Sequence, residues 1–161
     1  MPSNVCDHVR IAGIDPGSTN LGYSVLTFSA TTGQIIETRA RTITGNRGLG
    51  LDDLMSVVHG ERFARIAALC DFLLKSFYED APHYIVCESP FYNPKRPMAY
   101  GVLVEVLTSI RQTVWGYNPH MKLDLIDPSS AKNAVGASGG AKKEVMQNAI
   151  LNMVGLRYVG D

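Results

Sequence analysis

A lone carboxylate interrupts the most apolar stretch near the amino terminus. The segment Ile11-Ala12-Gly13-Ile14-Asp15-Pro16-Gly17-Ser18-Thr19-Asn20-Leu21-Gly22-Tyr23-Ser24 reads as a buried strand that ends in a Pro-Gly turn and restarts as a second strand. A carboxylate in such a strand costs several kcal/mol unless something pairs with it, roughly 1–3 even on lenient mutational scales. A divalent cation, which takes oxygen ligands, is the natural partner. Asp-Pro-Gly is also a common turn tripeptide, in which Asp15 merely caps the turn. On this segment alone both readings stand.

A second carboxylate repeats the pattern. Glu88 closes the apolar run Ile85-Val86-Cys87, just ahead of Ser89-Pro90. In open α/β sheets, sites form beyond the carboxyl ends of strands. Two acids delivered there by separate strands favour a shared cation over two unrelated surface groups.

The rest of the chain supplies the frame. Tyr23 to Phe28 continues as a strand, Gly33-Gln34 makes a hairpin turn, and Ile35 to Arg41 forms a third strand. A polar, Gly-rich connection runs from Thr44 to Gly50. Leu54 to Tyr78 has helical spacing, with an apolar stripe through Phe63, Ile66, Ala67, Leu69, Cys70, Leu73, Leu74 and Phe77. Tyr84 to Cys87 is a short strand, and Pro90, Pro94 and Pro97 break the next segment into a loop. Ala99 to Trp115 is helical, Leu123 to Ile126 a strand, and Ser129 or Ser130 is expected to cap a short helix after Asp127-Pro128. Ala134 to Gly140 is a Gly/Ser loop, and Lys142 to Met153 the last helix. Three strands followed by alternating strand and helix predict an α/β fold, a mixed sheet flanked by helices.

Bulk properties exclude several classes. A length of 161 residues, 45% of them hydrophobic, suits a single domain spanning 1–161 with its own core. Fifteen Lys and Arg balance fifteen Asp and Glu, so any basic surface is local rather than global. Cys6, Cys70 and Cys87 are odd in number and lack metal spacing, and Cys70 and Cys87 read as small core residues. No secretory leader and no membrane-length apolar run is present, which leads to the expectation of a soluble, reduced, cytoplasmic protein with no membrane partner.

Gly13-Ile14-Asp15-Pro16-Gly17 with Gly22-Tyr23 resembles the first motif of RuvC-type Holliday junction resolvases, members of the ribonuclease H-like nucleases. Glu88 with Phe91 and Asn93 is similar to the second, an acid followed by an aromatic and a polar loop. The third is matched by Pro128-Ser129-Ser130-Ala131-Lys132-Asn133-Ala134-Val135-Gly136 followed by Gly140-Ala141-Lys142-Lys143-Glu144-Val145. Each motif is weak alone; their order along nearly the whole chain is specific.

The resemblance implies a ribonuclease H-like mixed five-stranded sheet and a Mg²⁺-dependent endonuclease that resolves four-way junctions by symmetric nicking. It implies two Mg²⁺ ions, replaceable by Mn²⁺, held by Asp15, Glu88 and a further acid. The family closes its metal site with aspartates at the start of a final helix. Here Asp161 is the acid nearest that position, so either it is the third ligand or the closing segment lies beyond it. Lys142 is expected at the active site, because a cation at a helix N-terminus opposes the macrodipole and calls for a reason. Phe91 or Tyr92 would be the wedge at the branch point, and Asn93, Lys95, Arg96, Lys132 and Lys143 would contact DNA. For Phe91 and Tyr92, packing under the loop is an equal alternative. A two-fold homodimer is implied, with the apolar faces of the Phe63 to Tyr78 and Ala99 to Trp115 helices as candidate interfaces.

Three rivals remain at this point. A sugar-kinase or actin-like ATPase fragment shares the Gly-rich hairpin, whose backbone N–H groups cradle phosphate, but needs two such domains. A non-catalytic branched-DNA-binding protein with a degenerate nuclease fold, or another ribonuclease H-like nuclease, is the alternative within the same fold.

Overall fold

The computed structural model describes residues 7–45 and 53–153, the side chain of Asp53 excepted. Cys6, Asp161 and most of the expected Gly-rich connection lie outside them.

Five strands form one mixed sheet: β1 (His8–Asp15), β2 (Asn20–Ser29), β3 (Ile35–Thr44), β4 (Tyr84–Glu88) and β5 (Leu123–Ile126). Their order across the sheet is β3-β2-β1-β4-β5. The β1–β2 and β2–β3 pairs are antiparallel hairpins. The β1–β4 and β4–β5 pairs are parallel, so the carboxyl ends of β1, β4 and β5 emerge side by side. The helices are α1 (Asp53–His59), α2 (Glu61–Asp80), α3 (Pro97–Tyr117), α4 (Pro128–Ala134) and α5 (Lys143–Leu151).

Strand alternation builds the core. Ala12 and Ile14 of β1, Leu21, Tyr23 and Val25 of β2, and Ile85 and Cys87 of β4 are buried on one face. They meet Ile66, Leu69, Leu73 and Phe77 of α2 and Val106, Leu107, Ile110 and Val114 of α3. Each such Leu, Ile or Phe contributes roughly 1.5–3 kcal/mol by leaving water. The same alternation places Ile11, Gly13 and Asp15, and likewise Val86 and Glu88, on the other face.

The sequence expectation of one helix over Leu54 to Tyr78 is corrected. Gly60, at φ 84°, separates α1 from α2, a conformation that glycine adopts without a Cβ clash. Phe63, assigned to the buried stripe, is 48% exposed and packs against the His59 ring at 5.2 Å. The expected cap of α4 is also corrected. Asp127 is its N-cap, accepting from the Ser130 N–H at 2.9 Å and from the Ser130 hydroxyl, because Ser129 and Ser130 fall inside the first turn.

A buried acid ties the sheet to α2. Asp80, at the helix carboxyl end where a negative charge is disfavoured, accepts from the Tyr23 hydroxyl at 3.0 Å. Arg39 approaches its carboxylate at 2.9 Å and Arg41 at 3.8 Å. Burial and the Asp80 charge together push the Tyr23 phenol well above its ordinary range.

Candidate active site

Asp15 and Glu88 stand side by side. The parallel register pairs Ile14 with Cys87, so the next residue of each strand carries its carboxylate to the same face and the same end of the sheet. Neighbouring strands are about 4.8 Å apart, which puts two like charges within mutual reach. Partial burial raises the Asp15 pKa from its ordinary value, and the Lys143 charge opposes this. Burial also raises that of Glu88, the Asp15 charge adds to it, and Lys132 opposes.

Glycines clear the space around Asp15. Gly22 pairs with Asp15 across the hairpin, and a Cβ there would lie 3.1 Å from the Asp15 Cβ. A Cβ on Gly17 would lie 2.2 Å from the Asn20 carbonyl oxygen, so the turn after Asp15 closes this tightly only with glycine.

Two hard oxygen donors that burial and mutual repulsion hold above their ordinary pKa suit a divalent cation, whose charge would favour ionising both. Among the described residues, no group of three or more His, Cys, Asp or Glu side chains is placed to hold a metal ion. Asp161, expected as a third ligand, lies outside them. Asp127 follows β5 beside Glu88, but its carboxylate is engaged by Ser130, which lowers its pKa. Cys87 faces the core; burial, then Glu88 and Asp15, push its thiol up to about 12, so it stays protonated and is a poor ligand.

Two lysines frame the carboxylates. The half-buried Lys132 of α4 donates from Nζ to the carbonyl oxygens of Gly139 at 3.3 Å and Ala141 at 3.1 Å. It thereby holds the loop that leads into α5 while its charge bears on Glu88. Lys142 is the N-cap of α5 and exposed. Lys143, one residue on, is the lysine whose charge acts on Asp15. The helix-dipole argument singled out Lys142; that the charge of its neighbour Lys143 is the one felt at Asp15 depends on the helix phase, which that argument does not give.

The loop after Glu88 is open to solvent. Phe91 is 52% and Tyr92 62% exposed, which overturns packing under the loop as their role. Tyr92 and Tyr100 meet edge to face at 6.0 Å. Asn93 organises the turn, its Oδ1 accepting from the Lys95 N–H at 3.0 Å and its carbonyl from the Arg96 N–H at 2.9 Å. Lys95 and Arg96 are both exposed.

No helix among the described residues is long and apolar enough to cross a membrane. No family model and no curated protein matches the sequence. Solved structures do match. RuvC of Thermus thermophilus aligns at 18% identity and a TM-score of 0.63, covering 95% of this chain and 84% of that one. The same protein in complex with Holliday junction substrate aligns at 15% identity and a TM-score of 0.62, covering 95% and 83%. The yeast mitochondrial Holliday junction resolvase aligns at 17% identity and a TM-score of 0.59, covering 89% and 61%. The strand order, the paired carboxyl-end acids and these alignments agree: the chain has the ribonuclease H-like fold of the RuvC-type Holliday junction resolvases.

Proposed function

We propose that the chain is a metal-dependent endodeoxyribonuclease that resolves four-way junctions by symmetric nicking. The observation that carries this reading is the side-by-side placement of Asp15 and Glu88 at the ends of parallel β1 and β4, on the face that α2 and α3 leave free. Asp15 and Glu88 would hold Mg²⁺, or Mn²⁺ in its place, with Asp161 or an acid beyond it completing the set. Two such ions supply an activated water and a stabilised leaving 3′ oxygen.

The chain's own groups do the rest. Lys143 partly offsets the Asp15 charge and Lys132 that of Glu88, so an incoming phosphate meets less repulsion. Lys95, Arg96 and Lys142 present exposed cations to the backbone, a contact that weakens with salt. Phe91 and Tyr92 offer exposed rings to unstacked bases at the branch, where stacking contributes roughly 1–3 kcal/mol per base. Asn93 shapes their loop. A two-fold dimer would present two sites to opposed strands. The groove between α2 and α3, lined by Phe63, Ala67, Cys70, Leu74 and Thr113, is the face offered to a second copy.

A non-catalytic junction-binding protein is the second reading, favoured because no third His, Cys, Asp or Glu among the described residues is placed to hold an ion together with Asp15 and Glu88. The two readings separate on Asp15→Asn and Glu88→Gln. Under the nuclease reading, wild type nicks a labelled junction in Mg²⁺, whereas both variants shift it and leave it intact. Wild-type nicking by either variant contradicts the site; a wild type that shifts the junction and never nicks it supports the second reading.

A further inference from the structure

Tyr100 stands near the start of α3, and its ring meets that of Tyr92 edge to face, with 78° between the planes. Both side chains are open to solvent, Tyr92 at 62% and Tyr100 at 40%. Neither hydroxyl makes a hydrogen bond with another described residue. Burial does not explain the contact, because two rings this open gain little by leaving water together. What the contact does is hold a ring. The stretch between the two tyrosines is closed by successive hydrogen bonds. The Lys95 N–H donates to Asn93 Oδ1 at 3.0 Å, the Arg96 N–H to the Asn93 carbonyl at 2.9 Å, and the Ala99 N–H to the Arg96 carbonyl at 3.1 Å. The helix is itself anchored in the core through Val106, Leu107, Ile110 and Val114. Tyr92 therefore leans on a fixed element. Phe91, the other exposed ring of this loop, has no ring against it among the described residues.

Position gives the held ring a use. Tyr92 follows Glu88 by four residues, at most about 14 Å along the chain. The Ser89 N–H donates to the Ile126 carbonyl at 2.8 Å, which fixes the start of that path at the end of β5. At a branch the base pairs stop, and the bases there have a face without a neighbour. A nuclease that cuts at the branch brings those bases within this reach of its carboxylates. An edge-to-face contact takes up at most one face of Tyr92 and leaves the other for a base. A ring that is already ordered loses less freedom on stacking than one fixed only at that moment.

We infer that Tyr100 is a positioning residue, which holds the Tyr92 ring ready to stack on a base at the branch; the inference rests on the junction-nuclease reading. Its test uses the full chain and four-way junctions carrying 2-aminopurine at the branch, mixed in EDTA at saturating protein, with the band shift scored on the same samples. Wild type is expected to change the 2-aminopurine fluorescence. Tyr100→Ala is expected to keep the band shift and cut that change about two- to tenfold, the range of an edge-to-face pair. Tyr100→Phe, which keeps the ring, is expected to restore it. Tyr92→Leu is expected to lose the change, and Tyr100→Ala added to it to have no further effect, because Tyr100 acts through Tyr92. A Tyr100→Ala fluorescence change equal to wild type, a Tyr100→Phe as low as Tyr100→Ala, or an equal loss from Tyr100→Ala in both backgrounds overturns the inference. So does a wild type that shifts the junction without a fluorescence change. A wild type that fails to shift the junction contradicts the junction reading itself, and the inference falls with it.

Discussion

The Lys132 ammonium donates to the Ala141 carbonyl oxygen at 3.1 Å and to that of Gly139 at 3.3 Å. One side chain thus holds together the two ends of the segment between α4 and α5. That segment delivers Lys142 and Lys143, and Lys143 acts on Asp15. Lys132 is a positioning residue in this arrangement as well as a charge beside Glu88.

Replacing Lys132 with Met keeps the aliphatic stem and removes both donors. Amide hydrogen exchange over residues 137–141 is expected to accelerate, and nicking to fall about a hundredfold, the scale of a roughly 1 Å misplacement. Unchanged exchange in that segment would mean that Lys132 acts through charge alone.

Both carboxylates have folded-state pKa values above those of an unfolded chain, chiefly through burial. The folded state then binds the proton more tightly, so stability falls as pH rises from the unfolded pKa through the raised one. At neutral pH in EDTA the two charges are destabilising. Asp15→Asn and Glu88→Gln are therefore expected to raise the Tm in EDTA, and added Mg²⁺ to raise it for wild type more than for either variant. A lower Tm for both variants in EDTA would contradict the raised pKa values.

Lys143 and Lys142 separate by pH. The Lys143 charge opposes the rise of the Asp15 pKa, so Lys143→Gln lets that pKa climb further. The acid limb of the pH–rate profile is expected to move to higher pH for Lys143→Gln and to stay in place for Lys142→Gln. The reverse pattern would assign the effect to Lys142.

Tyr23→Phe deletes the hydroxyl that donates to Asp80 and leaves the ring packed against Phe72 and Phe77. A hydrogen bond to a charged group is worth roughly 1.5–3 kcal/mol. A loss of that size is expected in urea unfolding, with junction cutting retained per folded molecule. A loss below about 0.5 kcal/mol would mean that the two arginines satisfy Asp80 without Tyr23.

The acids were legible because a charge ending an apolar run is costly wherever it occurs, and both Asp15 and Glu88 end such runs. The mixed sheet followed from the order of periodic segments. Less was legible where one backbone angle or one contact decides. Gly60 splits a continuous apolar periodicity through a φ of 84°, and glycine within a helical pattern does not announce that. Asp127 caps α4 because the helix starts at Pro128, although Ser129 and Ser130 just beyond it also suit a cap. The Lys132 latch joins residues seven and nine positions apart, a pairing set by the path of a loop. The Arg39–Asp80–Tyr23 cluster joins distant segments, and no local pattern marks Asp80 as buried.

The most direct test is a gel assay with a labelled four-way junction and a matching linear duplex, each run in Mg²⁺, Mn²⁺ and EDTA. Paired nicks at symmetric positions, confined to the junction and abolished by EDTA, are the predicted result. No nicks in either metal, or equal nicking of junction and duplex, would contradict the account.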